Sequence, residues 1–307
     1  MAAETRSMLV RAAPGQIFGS ESGGTGGGGT TLPDEAMRQI VINMQRYNSI
    51  LESGPTTLTT ETGNDVPIPT LNDVNNKAVI VGEGRAADRK APDFGSVTLK
   101  AWRYSTLGIF LSLEFLQDTS IDVEGTLARI IGERVGRAQG EHYTIGNGTT
   151  EPQGLIPAST RMGQVLASSI TAPTFPMIVN LMVSIDGAYQ AGAGFMFNSN
   201  TLGQIMQITG INNQPIWFPS TAPGVPPTLL GRPYWINDFM ANFGSGNIPM
   251  LYGNTSSYYV RNVSGLQIHR MNEKEIEEGM IGVVGFLRGD ARMVEAGTPT
   301  IKHVEIG

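Results

Sequence analysis

The sequence predicts an α+β fold in which one long helix separates a β-rich stretch from an α/β lobe. Apolar residues recur with a helical period of 3.6 between residues 118 and 146, which indicates a long amphipathic helix. The segment from Thr56 to Glu114 is rich in threonine and in alternating patterns, which are typical of strands. After Pro157, helical patterns alternate with short apolar strands, as expected for a lobe built on a central sheet.

The N-terminal region is predicted to be a flexible arm followed by a helix. Residues 1–31 end in a glycine-rich run that lacks the lysine of a phosphate-binding loop, so a mobile arm or linker is favoured. A helix is predicted from Leu32 to Leu51, with Pro33 in its first turn and Gly54 after its end. The first residues lack a signal-peptide pattern, and no apolar run approaches the roughly 18 residues of a membrane span.

A long β-hairpin is predicted before the central helix. Its strands and their neighbours are expected at Thr56–Thr62, Ala78–Val81, Val97–Lys100 and Ile109–Leu113. The polar and charged segment 81–90 lies between strand-like residues, so it is predicted to be the hairpin tip and an interaction arm. Its glycines lack the third glycine and the following helix of a dinucleotide-binding loop. We therefore expect Glu83, Arg85, Arg89 and Lys90 to contact other subunits.

The central helix is predicted to be about 22 residues long, or roughly 33 Å. Thr119 precedes Asp122 by three residues, the spacing of an N-terminal cap. On the polar face the expected ion pairs, four residues apart, are Arg129 with Glu133 and Arg137 with Glu141. The helix should end at Gly146-Asn147-Gly148, which Pro152-Gln153-Gly154-Leu155 soon follows.

The second half of the chain is predicted to supply two helices and several strands. Helices are expected at Thr174–Gln190 and Ser199–Ile208, with Thr174 as a cap, and a buried strand at Phe195–Asn198. The loop 209–231 contains Trp217 and Phe218, which we expect to be exposed at a contact surface. Further strands are expected at 229–237, 250–253, 257–261, 265–270, 280–287 and 299–306.

Sites for chemistry are not evident in the sequence. Cysteine is absent, and His142, His269 and His303 are isolated rather than spaced as metal ligands. Arg288-Gly289-Asp290 is interpreted as a charge pair at a strand end. The formal charge of −6 and the absence of a basic cluster argue against strong DNA binding. Charged residues are only 16% of the chain, which fits either a loop-rich β fold or a surface that faces other subunits.

The order of these features resembles the major capsid proteins of tailed bacteriophages, the Hong Kong 97-like coat fold. The long helix followed by Gly146-Asn147-Gly148 and Pro152-Gln153-Gly154-Leu155 is similar to that family's spine helix and its G-N/D-G and P-x-G-L/I segments. The hairpin matches the family's E-loop in position. Leu229–Tyr234, Leu251–Asn254, Tyr258–Val260 and Gly265–Ile268 are similar to its later strand motifs, so the likeness spans nearly the whole chain.

The resemblance implies a Hong Kong 97-like fold in five segments. These are an N-terminal arm and helix (1–55), the E-loop hairpin (56–104), a peripheral domain with the spine helix (105–165), an axial α/β domain (166–270) and C-terminal strands of the peripheral domain (271–307). It implies a structural protein without catalytic residues, cofactor or metal. Hexamers and pentamers would form an icosahedral virion capsid around double-stranded DNA, without sequence-specific binding and without a membrane.

The resemblance also implies partners and leaves alternatives open. Assembly in the host bacterial cytoplasm would involve a scaffolding protein, a portal and decoration proteins. No long scaffolding segment is visible at the N-terminus, so scaffolding is expected to be a separate protein or a segment already removed. Lys77 and Lys90 lie near the hairpin, but no asparagine and carboxylate can be assigned to them, so no covalent crosslink is expected. The alternatives are an encapsulin-like shell around an enzyme cargo and an α/β enzyme with a perturbed acid or base in a cleft.

Overall fold

A computed structural model describes most of the chain from residue 40 onward. The described residues are 40, 42–44, 47–74, 76–84, 89–114, 123–163, 165–210, 213–217, 228–271, 276–295 and 297–307. The helices are α1 (Ser49–Glu52), α2 (Val123–Ile145), α3 (Leu155–Ala158), α4 (Phe175–Val183) and α5 (Ser199–Met206). The strands are β1 (Thr56–Thr60), β2 (Val66–Asn72), β3 (Asp93–Leu99), β4 (Trp102–Ser105), β5 (Ile109–Ser112), β6 (Thr160–Arg161), β7 (Gly194–Phe197), β8 (Thr228–Leu229), β9 (Arg232–Ile236), β10 (Met250–Gly253), β11 (Tyr258–Met271), β12 (Met280–Met293) and β13 (Ile301–Val304).

Two larger sheets and one hairpin organise the strands. The first sheet has the order β1-β11-β12-β4, with β5 also paired to β12, and the second has the order β6-β13-β10-β7-β9-β8. Strands β2 and β3 form a separate two-stranded sheet. The sheets divide the chain differently from the predicted segments, because β11 lies with β12 in the first sheet and the C-terminal β13 lies in the second.

Helix α2 confirms the predicted long helix and packs on the first sheet. It spans 23 residues, and its predicted start at Thr119 and Asp122 lies outside the described residues. The buried stripe of α2 forms one core cluster with residues of β11 and β12, namely Ala128, Ile131, Val135, Leu266, Ile268 and Leu287. On its polar face Arg137 pairs with Glu133 at 3.6 Å, not with Glu141 as predicted. Pairing towards the N-terminus satisfies the same i,i+4 geometry.

A glycine stripe on α2 lets the N-terminal segment approach the helix backbone. A Cβ added at Gly132 would lie 2.7 Å from the carbonyl oxygen of Ile40, and one at Gly136 would lie 2.8 Å from that of Met44. Gly140, one further turn along, would place a Cβ 2.8 Å from the ring of Phe239. The three glycines are four residues apart and therefore lie on one face, where they leave room for a crossing main chain.

The predicted helix Leu32–Leu51 is interrupted in the part that the structure describes. Residues 40 and 42–44 are helical, but residue 47 is in a turn and Asn48 begins a new helix, α1. The Asn48 side chain accepts hydrogen bonds from the amides of Ile50 and Leu51 at 3.2 and 3.4 Å. A side-chain cap of this kind competes with continuation of the helix. The helical period of the sequence therefore predicted one continuous helix where the structure begins a new one.

Other boundaries also differ from the predictions. The predicted Thr174–Gln190 helix ends at Val183, and a separate 3-10 turn follows at Gly187–Tyr189, where the Asp186 carboxylate accepts from the Ala188 amide. Thr174 is the residue before α4, but its hydroxyl makes no capping bond. Ala78–Val81 is not a strand.

The two strands predicted at 257–261 and 265–270 are one strand, β11. A bulge between Val263 and Gln267 interrupts its pairing with β12, and both Ser264 and Gly265 have positive φ there. An isolated glycine within a strand pattern is typical of a bulge, so the gap between the two predicted strands is a bulge within one strand. The predicted strand at 195–198 and helix at 199–208 are confirmed as β7 and α5. No helix in the described ranges is long and apolar enough to cross a membrane.

Candidate assembly site

The predicted hairpin forms an arm whose strands pair with each other and not with the first sheet. Strands β2 and β3 pair antiparallel from Val66 opposite Leu99 to Asn72 opposite Asp93. The arm is narrower than the predicted segment 56–104, because β1 pairs with β11 and β4 pairs with β12 in the first sheet. We refer to β2, β3 and the connecting residues 73–92 as the arm.

The arm exposes large apolar side chains instead of burying them. Leu71 lies directly opposite Phe94, and these side chains are 49% and 75% exposed. Beyond the strands, Val79 and Ile80 are 69% and 102% exposed. A two-stranded ribbon is marginally stable alone in water, and exposed apolar patches mark contact surfaces. The arm therefore presents a surface suited to covering by another protein chain.

The structure describes three of the four charged residues that were predicted to make contacts at the tip. Glu83, Arg89 and Lys90 are exposed, whereas Arg85 lies outside the described residues. No described contact involves these side chains within the subunit, so their role in assembly stays a prediction. Their exposure leaves them free for a partner.

Trp217 does not lie exposed in a loop as predicted. Its indole is half-buried, lies edge-on to Tyr234 with 6.0 Å between ring centroids, and donates through Nε1 to the carbonyl oxygen of Thr228 at 3.2 Å. It packs on the core of the second sheet. An indole buries a large apolar area when a neighbouring aromatic is available, which outweighs its position in a glycine- and proline-rich segment. Phe218 lies outside the described residues.

Arg261 joins both ends of the arm to the first sheet. Its side chain is fully buried, and all five of its N–H donors are hydrogen-bonded. At the entry to the arm Nε donates to Thr60 Oγ1, and Nη2 donates to the carbonyl oxygens of Thr62 and Asn64 at 2.8 and 2.7 Å. At the exit Nη1 donates to the carbonyl oxygens of Leu99 and Lys100 at 3.0 and 2.9 Å. We call this cluster the root of the arm.

Asp290 completes the root from the neighbouring strand. It lies opposite Arg261 in the β11–β12 register, and its carboxylate accepts from the amides of Lys100 and Ala291 at 2.6 and 2.9 Å. Burial raises the pKa of Asp290, and these two amide bonds oppose the shift. Burial lowers the pKa of Arg261, which the charge of Asp290 opposes. Asp290 therefore lies within β12 and fixes the arm's exit, which corrects its interpretation as a strand-end charge pair.

The turn after α2 explains its three glycines. A Cβ at Gly146 would lie 2.2 Å from the Pro152 carbonyl oxygen, and a Cβ at Gly154 would lie 2.5 Å from that of Thr144. Gly148 has φ +72°, a conformation that favours glycine. The Gly154 amide donates to the carbonyl oxygen of Gly146 at 2.8 Å, which closes the turn. The motif in the sequence is therefore a requirement of backbone packing rather than of chemistry.

The histidines have structural surroundings. Nδ1 of His142 lies 3.2 Å from the Tyr104 hydroxyl. His303 is buried beside the Ser159 hydroxyl, 2.8 Å from its Nδ1, and burial lowers its pKa. Within the described ranges, no group of three or more histidine, cysteine, aspartate or glutamate residues is arranged to hold a metal ion.

Comparisons with known proteins agree with this architecture. The model of the phage capsid family matches residues 28–297. A search of curated proteins found no match. Among solved structures, the capsid of a native GTA particle aligns with a TM-score of 0.70 at 18% identity, covering 97% of this chain and 98% of that one.

Two phage structures show the same similarity at lower identity. The structure from Microbacterium phage Oxtober96 has a TM-score of 0.65 at 13% identity and covers 85% of this chain and 91% of that one. The structure from Mycobacterium phage Adephagia has a TM-score of 0.64 at 12% identity, with 85% and 90% covered. At such identities the likeness establishes the fold, and the family match over most of the chain establishes membership. The chain belongs to the phage capsid family and is a capsid shell protein with the Hong Kong 97-like fold.

Proposed function

We propose that this protein assembles as hexamers and pentamers into an icosahedral shell that encloses double-stranded phage DNA. The main support for the proposal comes from the arm. Its apolar surface is exposed in the single subunit, and its root is held by buried hydrogen bonds. In a shell, the arm would lie on a neighbouring subunit, which would cover Leu71, Phe94 and Ile80. Burial of a large apolar side chain contributes about 1.5–3 kcal/mol, so a few such contacts repeated around a ring favour closure.

The two larger sheets suggest how the subunit is divided within the shell. We assign the first sheet and α2 to the peripheral domain, and the second sheet with α4 and α5 to the axial domain. This assignment moves β11 to the peripheral domain and β13 to the axial domain, relative to the boundaries expected from the sequence. The segment around 209–228 would then lie near the hexamer and pentamer centres.

The charge of the chain favours enclosing DNA without gripping it. The formal charge is −6, and each phosphate contact made by a lysine or arginine would strengthen binding that packaging and release must overcome. We therefore expect no sequence-specific DNA binding. A scaffolding protein or a removed scaffolding segment, a portal and decoration proteins remain the expected partners, and assembly is expected in the host bacterial cytoplasm with no membrane involved. Denaturing gels of mature shells are expected to show monomer without covalent ladders.

Electron microscopy and gradient sedimentation of the expressed chain, with and without its scaffold, test the proposal. Closed shells, rings or tubes are the expected result, and nuclease protection of the contents distinguishes a DNA shell from an enzyme compartment. A chain that stays a small oligomer even with scaffold would contradict the proposal.

A variant in the arm tests whether its exposed apolar surface drives assembly. Phe94→Ser should abolish or strongly reduce assembly and leave the urea midpoint of the unassembled subunit unchanged, because Phe94 is exposed in the subunit. Val183→Ser is the matched control, since Val183 is 65% exposed on α4, away from the arm. Equal loss of assembly in both variants would show that general surface apolarity, and not the arm, drives association.

A further inference from the structure

Two arginines lie directly opposite each other on the open face of the first sheet. Arg103 of β4 pairs in register with Arg288 of β12, and both side chains are exposed. Like charges placed directly opposite on neighbouring strands destabilise a sheet. Neither arginine lies within 4.0 Å of a carboxylate in the part of the chain that the structure describes. The subunit therefore presents two like charges on one face of the sheet, which an external anion would neutralise.

The two arginines line a groove with a volume of about 550 Å³. Ser264, Gln267 and His269 of β11 complete its polar lining, and none of the described residues that line it is a carboxylate. The guanidinium of Arg103 lies 3.9 Å from the ring centroid of Phe286, a cation–π contact that fixes its position. We call this surface the basic groove. Its donors and its preorganised arginine suit a carboxylate, for which arginine provides bidentate geometry.

An exposed acidic turn lies at the far end of the same β-ribbon. The 3-10 turn Ile276–Glu278 connects towards β12, and Glu277 and Glu278 are exposed there. No salt bridge of the described residues involves either carboxylate. Strand β12 begins at Met280, eight residues from Arg288, which at about 3.3 Å per residue is roughly 26 Å along the strand, and the turn lies beyond that point. The acidic turn cannot reach the basic groove of its own subunit while the ribbon is intact.

We infer that the acidic turn of one subunit docks in the basic groove of a second copy of this chain, with Glu277 and Glu278 facing Arg103 and Arg288. This inference rests on the proposed shell and names one of its contacts. The surfaces differ, so the contact is head-to-tail and closes into a ring when the subunits are related by rotation. Each subunit then gives one turn and receives one, which neutralises the opposed arginines in every copy.

Charge reversal with restoration tests the inference. Arg103→Glu/Arg288→Glu and Glu277→Arg/Glu278→Arg should each raise the protein concentration needed for assembly about tenfold in low salt, and less in high salt, where charges are screened. The chain carrying all four substitutions should recover assembly, because the pairs are restored with opposite sign. Arg129→Glu, an exposed change on α2, is the matched control and should assemble as the unchanged chain does. Circular dichroism checks that each variant is folded.

A second measurement does not depend on the charge variants folding well. The chain has no cysteine, so introduced cysteines are its only thiols. Assembled shells of Gln267→Cys/Glu278→Cys should form disulfide-linked multimers under mild oxidation. Glu141→Cys/Glu278→Cys, in which one cysteine lies on the exposed face of α2, should remain monomeric on denaturing gels.

The outcomes separate this inference from the proposed function. Reversed variants that assemble normally, or a fourfold variant that fails to recover while no crosslink forms, would overturn the docking and leave the shell intact. If Glu83→Arg, rather than the two substitutions in the turn, restored assembly of the Arg103→Glu/Arg288→Glu variant, the groove would bind the arm tip instead. If the Arg103→Glu/Arg288→Glu variant assembled normally but retained less nucleic acid, the groove would bind phosphate instead. An unchanged chain that forms no shell with its scaffold would overturn both proposals.

Discussion

Replacing Arg261 tests whether the root of the arm holds it in place. Arg261→Met keeps the length and apolar stem of the side chain but removes five donors, so four carbonyl oxygens and one hydroxyl each lose a hydrogen bond. The Thr60 hydroxyl keeps its bond to the carbonyl oxygen of Thr62 at 3.2 Å. At about 1 kcal/mol net for each lost bond, the change costs about 5 kcal/mol. Relief from burying a guanidinium offsets part of this, so a loss of about 3–5 kcal/mol is expected. Arg261→Lys offers at most three donors and should lose about 2 kcal/mol.

Urea unfolding of the unassembled subunit measures the loss, and hydrogen exchange locates it. Amides of β2 and β3 should exchange faster in Arg261→Met, while those of β10 in the second sheet should not change. Arg292→Met is the matched control, because Arg292 lies on the same ribbon and its side chain makes one hydrogen bond to the described part of the chain, to the carbonyl oxygen of Thr98 at 3.2 Å. It should lose less than about 1 kcal/mol. An Arg261→Met subunit as stable as the control variant, with unchanged exchange in the arm, would refute the reasoning.

Three further predictions concern packing and charge. Gly136→Ala should destabilise the subunit by about 1–3 kcal/mol in urea unfolding, because its Cβ would lie 2.8 Å from the Met44 carbonyl oxygen. Gly203→Ala on α5 is the control. Its Cβ meets nothing within 4 Å, so this variant should be more stable by about 0.5–1 kcal/mol. Burial raises the pKa of Asp290 in the folded state above its ordinary 3.8, so the folded state binds the proton more tightly than the unfolded state does. The contribution of this carboxyl group to stability is therefore largest below pH 3.8 and falls as the pH rises through the folded-state pKa. The urea midpoint of Asp290→Asn should lack that part of the pH dependence, and parallel pH profiles would contradict it. Trp217→Ala should cost about 2 kcal/mol of subunit stability by removing the Tyr234 contact, and an unchanged melting temperature would restore the interpretation of Trp217 as a surface contact residue.

Local signals in the sequence were enough to predict the long helix and the arm. The period of α2 extends over 23 residues. In the arm, β3 overlaps the predicted strand Val97–Lys100, whereas its partner β2 lies outside the predicted strands and Ala78–Val81 is not a strand. The root could not be predicted in this way, because the acceptors of Arg261 lie about 160 to 200 residues away and no local pattern links them. A buried arginine in a strand also has the same sequence pattern as an exposed one.

The glycine stripe was missed although its signal is local. Gly132, Gly136 and Gly140 recur every four residues in a predicted helix, which places them on one face and indicates close backbone approach. Only the structure shows which segment approaches, since Ile40 and Met44 lie far away in sequence. The exposure predicted for Trp217 was wrong for the opposite reason: its neighbours predict a loop, and Tyr234, which packs against the indole, is supplied by another element. The role of Trp217 as an assembly contact stays a prediction.

The arm transmits small changes at the root to its outer end. Seven paired residues at about 3.3 Å give the strands a length of roughly 23 Å, so a rotation of about 5° at the root moves the outer end by about 2 Å. The arm has no separate core among the described residues. Its direction depends on the Arg261 and Asp290 bonds at the root and on two further contacts, the Arg292 bond to Thr98 and the approach of the Asn72 side chain to Gly297. Such a shift exceeds the fit that a packed interface tolerates. Arg261→Lys, which retains the charge and part of the bonding, should thus still yield folded subunits but shells of irregular size or open sheets under the electron microscope. Uniform shells from a variant whose arm exchanges faster would show that neighbouring subunits, rather than the root, set the arm's direction.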